Sequence, residues 1–259
     1  MRSVQRQTVK FLHHLLAAVL LAAPAARAAE NRYDILGKTL APFINVLAKH
    51  TKNPNRAMAL AAKLERLTGA PPELIGTRVE LSMQYPDRVL VHAPILGEDL
   101  TVCRNRQHVW VTPGAKTKAL LDLATAQRKL PPADPSAQLE PLALPVPEKE
   151  LVFLPVLFQV KDAGSEAVDG EDCRVLDLRL MPELEKSLKD KGWTARVWVR
   201  ANYQPARLVV TRPGWELAVK FERVVFTPTL PDTTWQPPAE DVFALDAPRF
   251  RQLMQAIVK

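Results

Sequence analysis

Histidines and paired carboxylates are the residues in this sequence whose types could support catalysis or bind a metal ion. Beyond the first 28 residues the histidines are His50, His92 and His108, and none has the spacing of a zinc-protease helix or lies at ligand spacing from a cysteine. The chain has no phosphate-binding loop, no dinucleotide-binding glycine pattern and no Gly-x-Ser-x-Gly elbow. The sequence therefore predicts no metal site and no cofactor.

Two close carboxylate pairs remain, Glu148 with Glu150 and Glu183 with Glu185. A glycosidase uses two carboxyl groups as acid and nucleophile, so these pairs have the right chemistry. Pairs of this kind are also typical of solvated charges at the start of a helix, where they interact favourably with the helix dipole. Because no complementary groups assemble around either pair, we predict that the protein is not an enzyme.

The first 28 residues have the pattern of a secretory signal peptide. Basic residues precede an apolar run from Leu15 to Ala23, and Ala26-Arg27-Ala28 places small residues around a cleavage site. The run is too short to span a bilayer, which takes about 20 residues, and a buried N-terminal helix is the alternative. No cysteine follows the cleavage site, so no lipid anchor is predicted. We expect a signal peptide at 1–28 and a single periplasmic domain at 29–259.

The net charge of +7 at first suggests a polyanionic partner. Four of the 35 basic residues lie in the predicted signal peptide, which leaves 31 basic side chains against 28 acidic ones. Arginines such as Arg196, Arg200, Arg207 and Arg212 alternate with acidic residues along predicted strands, which is typical of a solvated face. The sequence predicts no nucleic-acid partner.

Cys103 and Cys173 are the only cysteines. An even count in an oxidising compartment favours a disulfide, and both residues lie on the more polar side of their strands, where a bridge across one sheet surface is possible. Two unpaired buried thiols are the alternative. We expect a disulfide between Cys103 and Cys173.

Hydrophobic periodicity predicts the elements around these residues. Apolar side chains recur at helical spacing over 33–49 and 56–68, and the pattern alternates with period two from Thr77 onwards. Four short strands between 77 and 112 predict an antiparallel meander, and a short helix containing Leu120, Leu121 and Leu123 follows. Strands are predicted again between 159 and 227, and Asp246 is predicted to cap a terminal helix. The total is nine or ten strands with few helices.

The segment 130–147 contains six prolines and no glycine. Such a run cannot form a regular helix or a central strand, so it is predicted to be an extended surface loop, with a linker between two domains as the alternative. Residues 148–158 then form a short, almost entirely apolar predicted helix that must be buried or must cover an apolar surface.

Three motifs carry a resemblance to a known family: YPDRV at 85–89, RNRQHVWVTP at 104–113 and VDGEDCRVL at 168–176. With the order helix, meander, helices and further strands, the chain resembles the LolA/LolB-like superfamily of periplasmic outer-membrane lipoprotein carriers. The resemblance implies an α+β fold: a strongly curved antiparallel sheet, an incomplete β-barrel of about 9–11 strands, whose apolar concave face is lidded by helices and holds acyl chains.

The sequence departs from the family pattern at one motif. The family typically has Arg-Pro at the second meander position, and that arginine holds the lid shut, whereas this chain has Tyr85 followed by Pro86. The family's aromatic residue three positions later corresponds to Val89. Tyr85 is therefore predicted at the rim of the cavity, either hydrogen-bonded to a lid carbonyl or as a plain rim side chain.

An open sheet with one apolar face must cover that face, and short helices can do so incompletely and leave an apolar cleft. Ordinary core is the alternative for each residue on it. The residues predicted to line the cavity are Leu81, Met83, Val89, Val91, Leu100, Val102, Leu154, Leu157, Leu176, Leu178, Val197, Val199, Leu208 and Val210.

The expected function is that of a monomeric periplasmic carrier or chaperone. It binds lipid or lipoprotein acyl chains during transport towards the outer membrane, and partner proteins at the inner and outer membranes are implied. The alternative is a non-catalytic envelope sensor or assembly factor that uses the same fold to bind a protein partner.

Overall fold

The computed structural model of the protein describes residues 30–48, 51–95, 97–126, 132–142, 154–187 and 191–257. The predicted signal peptide, at 1–28, lies outside these ranges. The helices described are α1 (Arg32–Leu47), α2 (Gly114–Thr125), α3 (Pro182–Ser187) and α4 (Ala247–Ile257). The strands described are β1 (Ala57–Leu67), β2 (Arg78–Gln84), β3 (Arg88–Ile95), β4 (Glu98–Asn105), β5 (His108–Thr112), β6 (Phe158–Val168), β7 (Glu171–Leu180), β8 (Thr194–Val199), β9 (Pro205–Arg212), β10 (Trp215–Thr227) and β11 (Phe243–Asp246).

All of these strands belong to one antiparallel sheet in the order β11-β5-β4-β3-β2-β1-β10-β9-β8-β7-β6. The sheet is curved and does not close, which confirms the predicted α+β class. Strands β1 to β5 form one meander and strands β6 to β10 form a second, because strands that follow one another in the chain are antiparallel neighbours in the sheet. The two meanders are joined where β1 pairs with β10, over ten residue pairs interrupted by two register shifts.

The cross-strand register shows which side chains share a face. Val111, Val102, Val91, Leu81 and Leu60 stand opposite one another on successive strands from β5 to β1. Side chains alternate between the two sides of a strand, so this apolar row occupies a single face of the sheet. We call the face that carries this row the inner face, and the opposite one the outer face.

Helix α1 lies on the inner face. The ring of its Phe43 packs edge-on against Phe226 of β10, with 5.0 Å between the ring centroids. Its Ile35 and Leu36 are buried in a cluster with Leu176 and other residues of β6 to β8. Asn31 caps the helix, since its Oδ1 accepts a hydrogen bond of 3.0 Å from the Tyr33 amide. The same inner face therefore runs under α1 and continues across the first meander.

The segment 56–68 is not the helix that its sequence pattern predicts but the strand β1. Its alternate residues Met58, Leu60 and Leu64 share the inner face, so the sequence fits a period of two as well as a helical period. Pairing along both edges, with β2 and with β10, stabilises the strand against the helix propensity of its alanines and leucines. The prediction of a helix here was wrong.

The predicted disulfide was also wrong, because Cys103 and Cys173 are both free and buried. Cys103 lies on β4 and Cys173 on β7, and six other strands lie between these two in the sheet. With about 4.8 Å between adjacent strands, that separation far exceeds the limit of about 7 Å between the Cα atoms of a disulfide. Each thiol belongs to its own cluster on the outer face, Cys103 with Trp110 and Trp235, and Cys173 with Val175 and Trp198.

The described part of the proline-rich segment, 132–142, contains no helix or strand and most of its residues are exposed. Leu139 is an exception, buried in a cluster with Val109, Leu245 and Leu253 of α4. Residues 148–153 of the next predicted helix lie outside the described residues, and Leu154–Leu157 forms a single 3-10 turn.

The predicted cap of the terminal helix is present: Asp246 Oδ1 accepts a hydrogen bond of 2.9 Å from the Arg249 amide.

Candidate functional site

The inner face of β2, β3 and β4 is an apolar surface that the described part of the chain leaves partly uncovered. Val91 and Val102 stand opposite each other and are each 37% exposed, although both strands have a paired strand on either side. A second row, Met83 and Val89, lies beside them and is half-buried. Leu81 and Leu100 are half-buried as well, and these six residues form a continuous patch that we call the open patch.

The same face is filled where α1 lies on it. Leu176 is 0% exposed and is packed among Ile35 and Leu36 of the helix. Leu178, Val197 and Val199 are buried in the same cluster, and Leu208 is packed against it. Leu208 and Val210 are both half-buried. The predicted cavity residues that lie on strands therefore share one face of the sheet. They divide into an open patch on the first meander and a filled core on the second.

Two further predicted cavity residues come from the 3-10 turn before β6. Leu157 is 36% exposed, and the side chain of Leu154 lies outside the described part of the chain. Val156, in the same turn, is 56% exposed. The turn adjoins α1 and β6, so its exposed apolar side chains lie at the second meander and not within the open patch.

Arg104 is a basic residue on the inner face, opposite Val89 of β3 and Val109 of β5. Its Nη2 donates to the carbonyl of Leu139 at 3.1 Å. Desolvation by burial lowers the pKa of Arg104 from its ordinary value. Gln107 holds the same loop residue, since its Oε1 accepts from the Leu139 amide at 2.8 Å. These bonds fix the proline-rich loop at one side of the open patch, and no motif in the sequence indicated them.

Tyr85 lies at the end of β2, and its ring contacts a cation. The Arg56 guanidinium lies 3.9 Å from the centroid of the Tyr85 ring. Arg56 Nη1 also donates to the Asn45 carbonyl at 3.1 Å, in the last turn of α1. A helix leaves its last carbonyls without intrahelical partners, so this bond stabilises the C-terminal end of α1. Arg56, which the sequence pattern did not indicate, thus connects α1 to the sheet, and its guanidinium packs on the Tyr85 ring.

We expect Arg56→Met to destabilise the protein by about 1 kcal/mol, because it removes both the ring contact and the bond to the α1 carbonyl. Tyr85→Phe should be neutral, since the ring is kept, whereas Tyr85→Leu should cost about as much as Arg56→Met. Urea denaturation followed by circular dichroism measures all three. A loss of stability in Tyr85→Phe would instead assign the role to the tyrosine hydroxyl.

The described residues contain neither a metal-ligating cluster nor a membrane-spanning helix. No group of three or more histidine, cysteine, aspartate or glutamate side chains is placed there to hold a metal ion. No helix within the described ranges has the length and apolar character required to cross a membrane.

No protein-family profile matches the sequence, and no curated protein matches it. Solved structures do match. The lipoprotein LppX of Mycobacterium tuberculosis is 12% identical, with 74% of this chain and 93% of that chain covered and a TM-score of 0.39. In the MucA/MucB complex of Pseudomonas aeruginosa the matched chain is 11% identical, with coverages of 80% and 61% and a TM-score of 0.41.

A LolA superfamily protein from Nitrosomonas europaea also matches, at 15% identity, with 81% of this chain and 99% of that chain covered and a TM-score of 0.28. The matched structures thus include one protein of the superfamily that the sequence resembles. Each of these three TM-scores is below 0.5.

Proposed function

We propose that this protein is an envelope carrier that binds the acyl chains of a lipid or lipoprotein on the open patch and shields them during transport towards the outer membrane. The observation that carries the proposal is the exposure of Val91 and Val102, 37% each, on strands inside the sheet. Aliphatic side chains in such positions are normally covered by other parts of the protein. The predicted signal peptide supports a periplasmic location.

The expected binding energy comes from apolar burial. Each methylene group of an acyl chain removed from water contributes about 0.8 kcal/mol, so a single chain could bind with useful affinity without specific polar contacts. The open patch is formed by aliphatic and methionine side chains, and Met83 can adapt its shape to ligands of different length. Such a surface favours a class of apolar chains and not one particular headgroup.

The proposal predicts that charging the open patch abolishes binding. Val91→Glu places a carboxylate where an acyl chain would lie, and we expect at least a tenfold loss of affinity for the fluorescent fatty acid parinaric acid. Val225→Glu is the matched control, because Val225 is 43% exposed and lies on the other side of β10 from the buried Val224. Fluorescence titration measures both, and circular dichroism checks that both variants are folded.

A second measurement uses the protein as it is made by the cell. Lipid should be recovered by extraction and mass spectrometry from protein purified from its own envelope. Repeated recovery without lipid, together with no binding of parinaric acid, would contradict the proposal. That outcome would favour the alternative of an envelope sensor or assembly factor. Equal losses in Val91→Glu and Val225→Glu would also contradict it.

A further inference from the structure

The outer face of the second meander carries a charged groove of about 790 Å³. Its middle is formed by Trp198, Val209 and the hydrogen-bonded hydroxyls of Thr194 and Thr211, whose oxygens are 2.6 Å apart. Five cationic side chains and two carboxylates line it. Two of these cations are paired with carboxylates outside the lining, Arg207 with Glu65 at 2.6 Å and Arg66 with Glu216 at 3.3 Å, so the excess of positive charge lies at Lys161 and Arg179.

Both carboxylates in the groove already have partners. Asp177 accepts two hydrogen bonds from Arg196, at 2.6 Å from Nε and 3.0 Å from Nη2. Glu166 accepts from the Trp198 indole nitrogen at 2.8 Å. The fixed carboxylates therefore do not neutralise the cations at the two ends of the groove.

The cations at the ends are available to a ligand. The side chains of Lys161 and Arg179 are exposed and make no hydrogen bond or ion pair within the described part of the chain. At the other end, Arg66 is 59% exposed and has a 3.3 Å ion pair with Glu216. Exposed pairs of this kind contribute little and are readily exchanged, so Arg66 can accept a second anionic partner.

The register fixes the distance between the two ends. Lys161 stands at one end of a cross-strand row that passes through Asp177, Arg196, Val209 and Ala218 and ends at Arg66 of β1. The row crosses five strand-to-strand steps, which amounts to about 24 Å at about 4.8 Å per step. An extended peptide covers that distance with about seven residues.

We propose that this groove binds an extended acidic segment of a partner protein, with carboxylates at the Lys161 and Arg179 end and at the Arg66 end. Between those ends the charges are already balanced, because Arg196 is paired with Asp177 and Arg207 with Glu65, so the middle of the groove does not attract a polyanion with charge at every position. A peptide can place its acidic residues at the two ends and uncharged residues against Trp198 and the threonines. The site is on the opposite face from the open patch, so the two proposals stand or fall separately.

The test uses a fluorescein-labelled peptide of about eight residues with glutamates near both ends and serine and glycine between them. Fluorescence anisotropy at low salt should show binding that weakens as salt is raised to about 200 mM. The double variant Lys161→Glu with Arg179→Glu should bind at least about tenfold more weakly. Lys52→Glu with Arg223→Glu is the control, because both residues are exposed, lie outside the groove and give the same change in net charge.

A peptide with glutamine in place of glutamate should not bind, and a single-stranded oligonucleotide of similar length should bind more weakly than the acidic peptide. Equal weakening in the groove variant and the control variant would overturn the proposal, because it would show attraction to net charge alone. Absence of binding to the unmodified protein at low salt, or stronger binding of the oligonucleotide, would overturn it too. Thermal melting of each variant confirms that it is folded.

Discussion

Leu176→Ala is expected to lower the free energy of unfolding by about 2–5 kcal/mol. Leu176 is 0% exposed and lies between α1 and the strands around it, so truncation leaves a cavity that the sheet and the helix cannot both move to fill. The loss combines the transfer of the side chain from the core with the cost of the empty volume. Urea denaturation followed by circular dichroism and tryptophan fluorescence measures it.

Leu81→Ala is the control for that prediction, since it is the same substitution on the same face. Leu81 is half-buried in the open patch, so its truncation forms no closed cavity and should cost about 1 kcal/mol. Equal costs for the two variants would show that the first meander is covered as tightly as the second. That result would also remove the observation on which the lipid-binding proposal rests.

Trp235→Ala is expected to destabilise the protein by about 3–5 kcal/mol. Trp235 is 1% exposed and packs over the outer face of the first meander with Cys103 and Trp110. Its carbonyl accepts a hydrogen bond of 3.1 Å from the Trp110 indole nitrogen, so movement of this segment also leaves that buried donor without its acceptor. Trp235→Phe should cost much less, because it keeps an aromatic ring in the cluster.

A thiol-labelling experiment gives a second readout for Trp235. Burial raises the pKa of the Cys103 thiol to about 12, and the residue is 0% exposed, so it should react slowly with a disulfide reagent at neutral pH. In a Cys173→Ala background, Trp235→Ala should accelerate labelling of Cys103 under native conditions, while Trp235→Phe should not. Fast labelling of Cys103 with Trp235 in place would contradict the packing described.

The inner face shows how far the sequence pattern reaches. Period-two alternation placed Leu81, Val91, Leu176 and Val197 on one apolar face, and the register confirms that they share it. Alternation reports only the side of a strand, because it depends on backbone geometry. Whether α1 covers a given residue depends on where the helix packs. Leu176 and Val91 therefore have the same sequence pattern, but Leu176 is 0% exposed and Val91 is 37% exposed.

Strand β1 and the cysteines show the same limit. Residues 56–68 satisfy both a helical and an extended pattern, and pairing with β10, at least 150 residues away, settles the choice. The cysteine count is a property of the whole chain, whereas a disulfide depends on the distance between two positions in the sheet. Arg56 and Arg104 gave no signal because their partners, the carbonyls of Asn45 and Leu139, are backbone groups brought near by tertiary packing.

By itself the sequence determined most of the antiparallel strands, the one-sided apolar pattern, the loop character of the proline-rich segment and the terminal helix, because periodicity, turn residues and caps act over a few residues. Only the tertiary structure decided that the two meanders join through β1 and β10, that α1 fills one half of the inner face and leaves the open patch, and that the cations of the outer face line one groove. These features depend on contacts between segments far apart in the chain, for which local side-chain patterns carry no information.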